Sequence, residues 1–193
     1  MIDKIDTVLA VDAEINALLQ KKESIIAAID GRCGSGKTTL AGELKRLRGC
    51  EVIHMDHFYP RLEQRTTQRL SEPGGNLDRE RFFEEVMTPL MRKEPFSYRP
   101  YNPMQHCLME PISISLADVV VIEGSYCLHP LLFDCYDLRI FLTVDMPERL
   151  RRIKLRNGEE GLLSFQERWI PMEEKYFSAY DVQARSDMVF KTG

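Results

Sequence analysis

The densest chemistry in the chain lies in nine consecutive residues, Gly31, Arg32, Cys33, Gly34, Ser35, Gly36, Lys37, Thr38 and Thr39. They fill every position of G-x-x-x-x-G-K-[ST], a spacing that suits the polyphosphate tail of a nucleotide. The glycines free the backbone for positive φ, so successive N–H groups can turn toward one anion. A helix opening near Lys37 adds its unpaired first-turn donors and the positive end of its dipole to the same spot. Lys37 would meet the β- and γ-phosphates as a point charge, and the Thr38 hydroxyl would ligate Mg²⁺. Thr39 fits a helix position beside the α-phosphate. Cys33 has two readings, a thiol activated at a helix N-terminus or, more simply, a small residue filling the loop.

Further along, Glu51 to Met55 reads as a second strand ending in Asp56, and Glu123 ends the apolar run ADVVVI. Carboxylates at the C-terminal ends of parallel strands fall in the crevice where α/β sheets bind ligands. Glu123 is therefore a candidate to organise Mg²⁺ together with Thr38, because a buried carboxylate with no cation beside it is costly. Met146 to Asn157 reads as a basic helix with Arg149, Arg151, Arg152, Lys154 and Arg156. As a set they suggest a cationic lid over a triphosphate, and Arg152 and Arg156 share one face.

These residues need strands and helices in alternation to bring them together. Ile25 to Ile29 supplies a strand before the loop and Thr39 to Leu47 a helix after it. Leu138 to Val144 is a further strand, and Asp187 to Lys191 a closing edge strand. Ile2 to Lys22 shows the spacing of an amphipathic helix packed on the outer face of the core. Asp78 is a plausible N-cap for a helix through Phe82, Val86 and Met91. Arg61 to Asn76, with Pro73, Gly74 and Gly75 and no apolar period, reads as a mobile surface segment beside the cleft. Pro95 to Leu116 fits short strands or a hairpin insertion. Within it, Tyr101 and His106 could line a pocket for a flat ring or fill a satellite core. Pro171 implies a kink or break in a helical stretch from Leu162 to Val182. The alternation specifies an α/β fold, a parallel sheet wrapped by helices, with residues 1–23 as an N-terminal helix and 24–193 as one domain.

Composition narrows the classes. The chain has 193 residues, 44% hydrophobic and 29% charged, and a net charge of -4. That balance suits a soluble globular domain and argues against nucleic acid as a partner, since phosphate-backbone affinity needs clustered excess Lys and Arg. No apolar run spans a bilayer and no signal pattern opens the chain, so no membrane partner is expected and a cytoplasmic location is. Five cysteines with no C-x-x-C pair read as free thiols.

Taken in order, GRCGSGKTT, MDHFY, NLDRERF, PYNPMQH, VVVIEG and the basic RLRRIKLRN resemble the uridine kinase and phosphoribulokinase group of phosphate-loop kinases, from about Ser24 to Lys191. The resemblance implies a P-loop three-layer αβα sandwich with a mostly parallel sheet, a small β insertion and an Arg-rich lid helix. It implies ATP and Mg²⁺ as cofactors and transfer of the γ-phosphoryl group to a primary hydroxyl of a nucleoside-like small molecule. Asp56 would be the general base, with Tyr59 of MDHFY beside it on the acceptor side. Asp78 would hold sugar hydroxyls, Tyr101 and His106 would face the base, and Arg152 and Arg156 would hold phosphates. The lid departs from that family's pattern, with Asn157 where the family has Asp and Glu160 where it has Arg, and Asn102 follows the pocket tyrosine. Nicotinamide riboside, pantothenate or another hydroxylated metabolite thus stands beside uridine as acceptor. An ATP-binding switch protein is the rival reading, and a homo-oligomer is compatible with either.

Overall fold

The computed structural model describes residues 4–193. Helix α1 (Lys4–Leu19) precedes strand β1 (Ile25–Gly31), the phosphate loop, helix α2 (Lys37–Arg48) and strand β2 (Glu51–His54). A 3₁₀ turn Met55–Phe58 follows, then a second at Leu62–Gln64, helix α3 (Thr67–Ser71) and helix α4 (Arg79–Phe82). A π-helical turn, Phe83–Met87, carries α4 into α5 (Thr88–Met91). The insertion holds β3 (Phe96–Tyr98), β4 (Tyr101–Asn102), β5 (Cys107–Leu108) and β6 (Ile112–Ile114), which pair as two small antiparallel ladders, β3 with β6 and β4 with β5. After β7 (Val119–Glu123) come α6 (Pro130–Phe133), β8 (Leu138–Val144), the long α7 (Met146–Ser164), a π-helical turn Phe165–Trp169, α8 (Ile170–Ala179), α9 (Val182–Arg185) and β9 (Met188–Thr192).

The five main strands form one sheet in the order β2-β7-β1-β8-β9, every pair parallel. β1 and β7 lie inside it and are buried along almost their whole length, which is why they read as continuous apolar runs and not as alternation. One face of the sheet is covered by α1 and α2 through Val11, Ile15, Leu40 and Leu44. The other is covered by Phe58, Phe82, Val86, Leu132, Tyr176 and Phe177. Helices on both faces of a parallel sheet make the three-layer sandwich expected from the sequence.

Arg61 to Asn76, read from the sequence as a surface segment beside the cleft, holds a 3₁₀ turn and α3, and Arg69 clamps its far end. The Arg69 guanidinium donates to the Gly75 carbonyl at 3.2 Å and the Leu77 carbonyl at 2.7 Å while pairing with Glu80 at 2.6 Å. Gly158, with φ 71° and ψ -175°, interrupts α7 before the stretch from Leu162 to Val182. Within that stretch the chain stays helical through Pro171, and the irregular element is the π-helical turn Phe165–Trp169 directly before it. The amphipathic helix is shorter than Ile2 to Lys22, and Ile2 lies outside the described residues. Val8, Ile15, Leu18 and Leu19 pack on the core as the spacing predicts, joined by Val11, while Ile5 and Leu9 face solvent.

Candidate active site

The phosphate loop is shaped by its glycines and braced from outside by charge pairs. Gly31 holds φ 136°, and a Cβ there would lie 2.0 Å from the Leu142 carbonyl oxygen, so no other residue fits between β1 and β8. The buried Lys37 ammonium donates to the Gly31 carbonyl at 2.6 Å and the Arg32 carbonyl at 3.2 Å. On the outer side, the Cys33 N–H donates to Glu173 at 3.0 Å, and Glu173 pairs with Arg149 at 2.6 Å and accepts from the Ser125 hydroxyl at 2.5 Å. Glu174 bridges Arg149 (2.7 Å) and Arg32 (2.9 Å). Arg32 thus faces away from the cleft, into this bracing network.

Cys33 belongs to the same brace. Arg149 Nε lies 3.3 Å from its sulfur, but burial, then the Glu173 charge, push the thiol up to about 12, so the simpler of the two readings of this cysteine fits. Arg149 itself is fully buried, and its place in a cationic lid is corrected. One helix face, shared with Ile153, points at the loop's underside, and the next carries Arg152 and Arg156 to the cleft.

Beneath the loop, Asp30 is fully buried on β1 and ties three elements together. Its carboxylate accepts from the Gly31 N–H at 2.7 Å, the Leu128 N–H at 3.0 Å and the Tyr176 hydroxyl at 2.8 Å. Loss of water on burial raises its pKa to about 6 despite these donors.

The cleft above the loop holds about 980 Å³. Loop residues Cys33 to Thr39, with Asp56, Tyr59, Glu123, Arg152 and Arg156, line it, so most of the sequence candidates converge. The Thr38 hydroxyl lies 3.2 and 3.3 Å from the two Glu123 oxygens. His54 Nδ1 lies 2.5 Å from Glu123, and that hydrogen bond raises the imidazole pKa. Asp56 stands in the 3₁₀ turn just beyond β2 with its side chain open to the cleft. The surrounding walls, then the Glu123 charge, raise its pKa. Arg152 donates to the Gly34 carbonyl at 3.1 Å and pairs with Glu148 at 2.7 Å, and Arg156 lies over Phe165 at 5.5 Å.

Three candidates lie elsewhere. Asp78 is fully buried and caps α4, with Arg81 at 3.2 Å and the Gln64 amide at 2.8 Å on its carboxylate. Tyr101 is buried in the small β4–β5 ladder. His106 sits exposed in the turn between those strands at φ 55°. None of the three lines the cleft.

Residues that the sequence did not single out do line it. Asn76, Tyr126, Phe165, Trp169 and Glu173 are among them, as are Thr7 and Val8 of α1 and Thr192 and Gly193. A cue for Trp169 existed, since it is the single tryptophan of the chain. None existed for Thr7 or Val8, whose access depends on how α1 lies against α2.

The donor set fits Mg²⁺, a hard cation that takes oxygen ligands and usually keeps several waters. Thr38 and Glu123 offer oxygens side by side, and among the described residues no group of three or more His, Cys, Asp or Glu could hold a metal unaided.

Comparison with known proteins agrees with this geometry. The model of a family described as an AAA domain matches residues 28–168. A dephospho-CoA kinase from Thermus thermophilus is 30% identical over 169 residues, covering 81% of this chain and 80% of the relative. A uridine kinase from Ureaplasma parvum is 29% identical over 159 residues, covering 77% and 76%. Among solved structures, one described as a possible uridine kinase from Bacillus stearothermophilus superposes with a TM-score of 0.64 at 21% identity, over 94% of this chain and 99% of the other. A P-loop protein with a circular permutation from Saccharomyces cerevisiae reaches 0.71 at 11% identity, over 96% and 99%. Both superpositions show the same fold. The grip that the loop makes possible and the relatives that share it lead to one conclusion: the chain belongs to the AAA-domain family, within the uridine kinase-like group of P-loop small-molecule kinases.

Proposed function

We propose that the protein transfers the γ-phosphoryl group of ATP to a primary hydroxyl of a nucleoside-like small molecule, with Asp56 as general base. The observation that carries this reading is a carboxylate open to the cleft across from a complete phosphate loop, both lining one cavity. Loop amides from Gly34 to Thr39 hold the phosphate tail, and Lys37 moves from the Gly31 and Arg32 carbonyls onto it. Arg152 and Arg156 meet the charge that spreads over the transferring group. Asp56 accepts the proton of the attacking alcohol, a role that its raised pKa favours. Thr38 and Glu123 would hold Mg²⁺, which when bound neutralises phosphate charge. Tyr59 shapes the acceptor side beside Asp56.

Free thiols at all five cysteines support a cytoplasmic site of action, and among the described residues no helix is long and apolar enough to cross a membrane. The test is ADP formation with Mg·ATP and a panel of uridine, cytidine, nicotinamide riboside, pantothenate and dephospho-CoA. One acceptor should stimulate turnover, and Asp56→Asn should lower kcat about 10²–10⁴-fold. Equal turnover by Asp56→Asn removes the assigned base. Lys37-dependent nucleotide binding with no acceptor-stimulated turnover favours a regulatory protein instead.

A further inference from the structure

We propose that Asn76 orients the acceptor, its Oδ1 taking a hydrogen bond from the edge of the acceptor's ring. The proposal rests on the kinase reading above and adds the residue that positions the nucleoside-like acceptor at that site. Asn76 is 8% exposed, lines the cleft and leaves its Oδ1 with no hydrogen-bond partner. A buried amide without a partner is costly to keep in a folded chain, and such groups call for an explanation in the ligand they meet.

The amide is held in place from both sides. Arg69 donates to the carbonyls of Gly75 and Leu77, the two neighbours of Asn76 in the chain, and is itself fixed by Glu80. The Asp78 N–H donates to the Phe58 carbonyl at 2.8 Å, which locks this segment to the turn carrying Asp56. Nothing in that arrangement serves Asn76's own side chain. It fits a polar group presented rigidly toward a substrate, where little order is lost on binding.

The cleft that it lines also carries aromatic walls. Tyr59 and Trp169 meet edge to face at 6.3 Å, and Phe165 and Tyr126 line the same cleft. Aromatic walls with a single convergent amide suit a flat heterocycle whose edge offers a carbonyl, an imide N–H or an amino group. An acyclic polyol would leave the walls unused.

Trp169, the only tryptophan, reports occupancy directly. Uridine and nicotinamide riboside, titrated as ring-bearing probes, are compared with ribose and pantothenate as ring-less ones, with fluorescence read in the presence of a non-hydrolysable ATP analogue. At least one ring-bearing probe should change the emission saturably, and neither ring-less probe should. Asn76→Leu should raise that probe's Kd, and the KM of any acceptor turned over, about 10-fold or more, with the KM for ATP within about twofold. Should Asn76→Leu fail to fold, Asn76→Ala, which also removes the acceptor, is read in the same way. Binding of the ring-bearing probes unchanged in the folded variant, or ring-less probes binding as well as ring-bearing ones, overturns the proposal. Failure of the kinase reading shows elsewhere, as absence of a Lys37-dependent thermal shift with Mg·ATP.

Discussion

Asp30 gives the molecule a stability that depends on pH in an uncommon direction. Buried carboxylates that accept several hydrogen bonds often hold a depressed pKa, but here the loss of water outweighs the Gly31, Leu128 and Tyr176 donors, and the value rises from 3.8 to about 6. The folded state therefore binds this proton more tightly than the unfolded chain does. The stability it contributes is fully present below the unfolded value of 3.8 and is lost as pH rises through about 6. A rise of about two units corresponds to roughly 3 kcal/mol, a large fraction of the ~5–15 kcal/mol typical of a domain. Urea unfolding of the wild type and Asp30→Asn, followed in parallel from pH 4 to pH 7.5, isolates this one group because other titrations cancel in the difference. Asp30→Asn orphans one buried backbone N–H, that of Gly31 or that of Leu128, at a pH-independent cost of ~1–3 kcal/mol. The wild type's advantage over the variant should shrink by roughly 3 kcal/mol across the window. Curves that run parallel refute the reasoning, since they mean that the carboxyl titrates alike in folded and unfolded chains.

Two other perturbations act on the loop itself. Arg149→Met leaves Glu173 buried with only the Ser125 hydroxyl and the Cys33 N–H, and should cost about 3–5 kcal/mol, read as a fall of roughly 10 °C or more in Tm. Adding Glu173→Gln should restore part of that loss, and no restoration means that the charge pair is not what braces the loop. Gly31→Ala drives a Cβ to within 2.0 Å of the Leu142 carbonyl in a backbone region where side chains are strained, so β1 and β8 must part. Soluble yield and Tm should both collapse, and a variant as stable as wild type would show that the loop's first turn is not held this tightly.

The parts of the fold legible in the sequence are those where one physical demand dominates. β1 and β7 are buried on both faces, and a continuous apolar run has few other uses at that length. Asp56 and Glu123 were legible because the ends of parallel strands are where such sheets open. What escaped depends on rotation or on distant partners. Arg149 and Arg152 are three apart on one basic helix, yet one is entombed and the other reaches the cleft. The cue was Ile153, which shares Arg149's stripe. Asn76 carries no local signal at all, because its position is set by Arg69 and by a backbone bond to Phe58. Asp78 shows the converse: a residue that suits sugar hydroxyls by type is also a good helix cap, and in the fold it caps α4.

The charge around Thr38 explains why the metal should arrive together with the nucleotide. Glu123 already accepts from Thr38 and His54, and its charge adds to the loss of water that raises the pKa of Asp56. The nearest ammonium, Lys37, is turned to the carbonyls of Gly31 and Arg32. A divalent cation beside Glu123 would lower the repulsion felt by Asp56, but two side-chain oxygen donors are too few for the octahedral shell that Mg²⁺ requires. On the proposed kinase reading, phosphate oxygens would supply the missing ligands and would offer Lys37 a partner in place of the loop carbonyls. A cation held by Thr38 and Glu123 would also offset the Glu123 charge felt by Asp56, the proposed base.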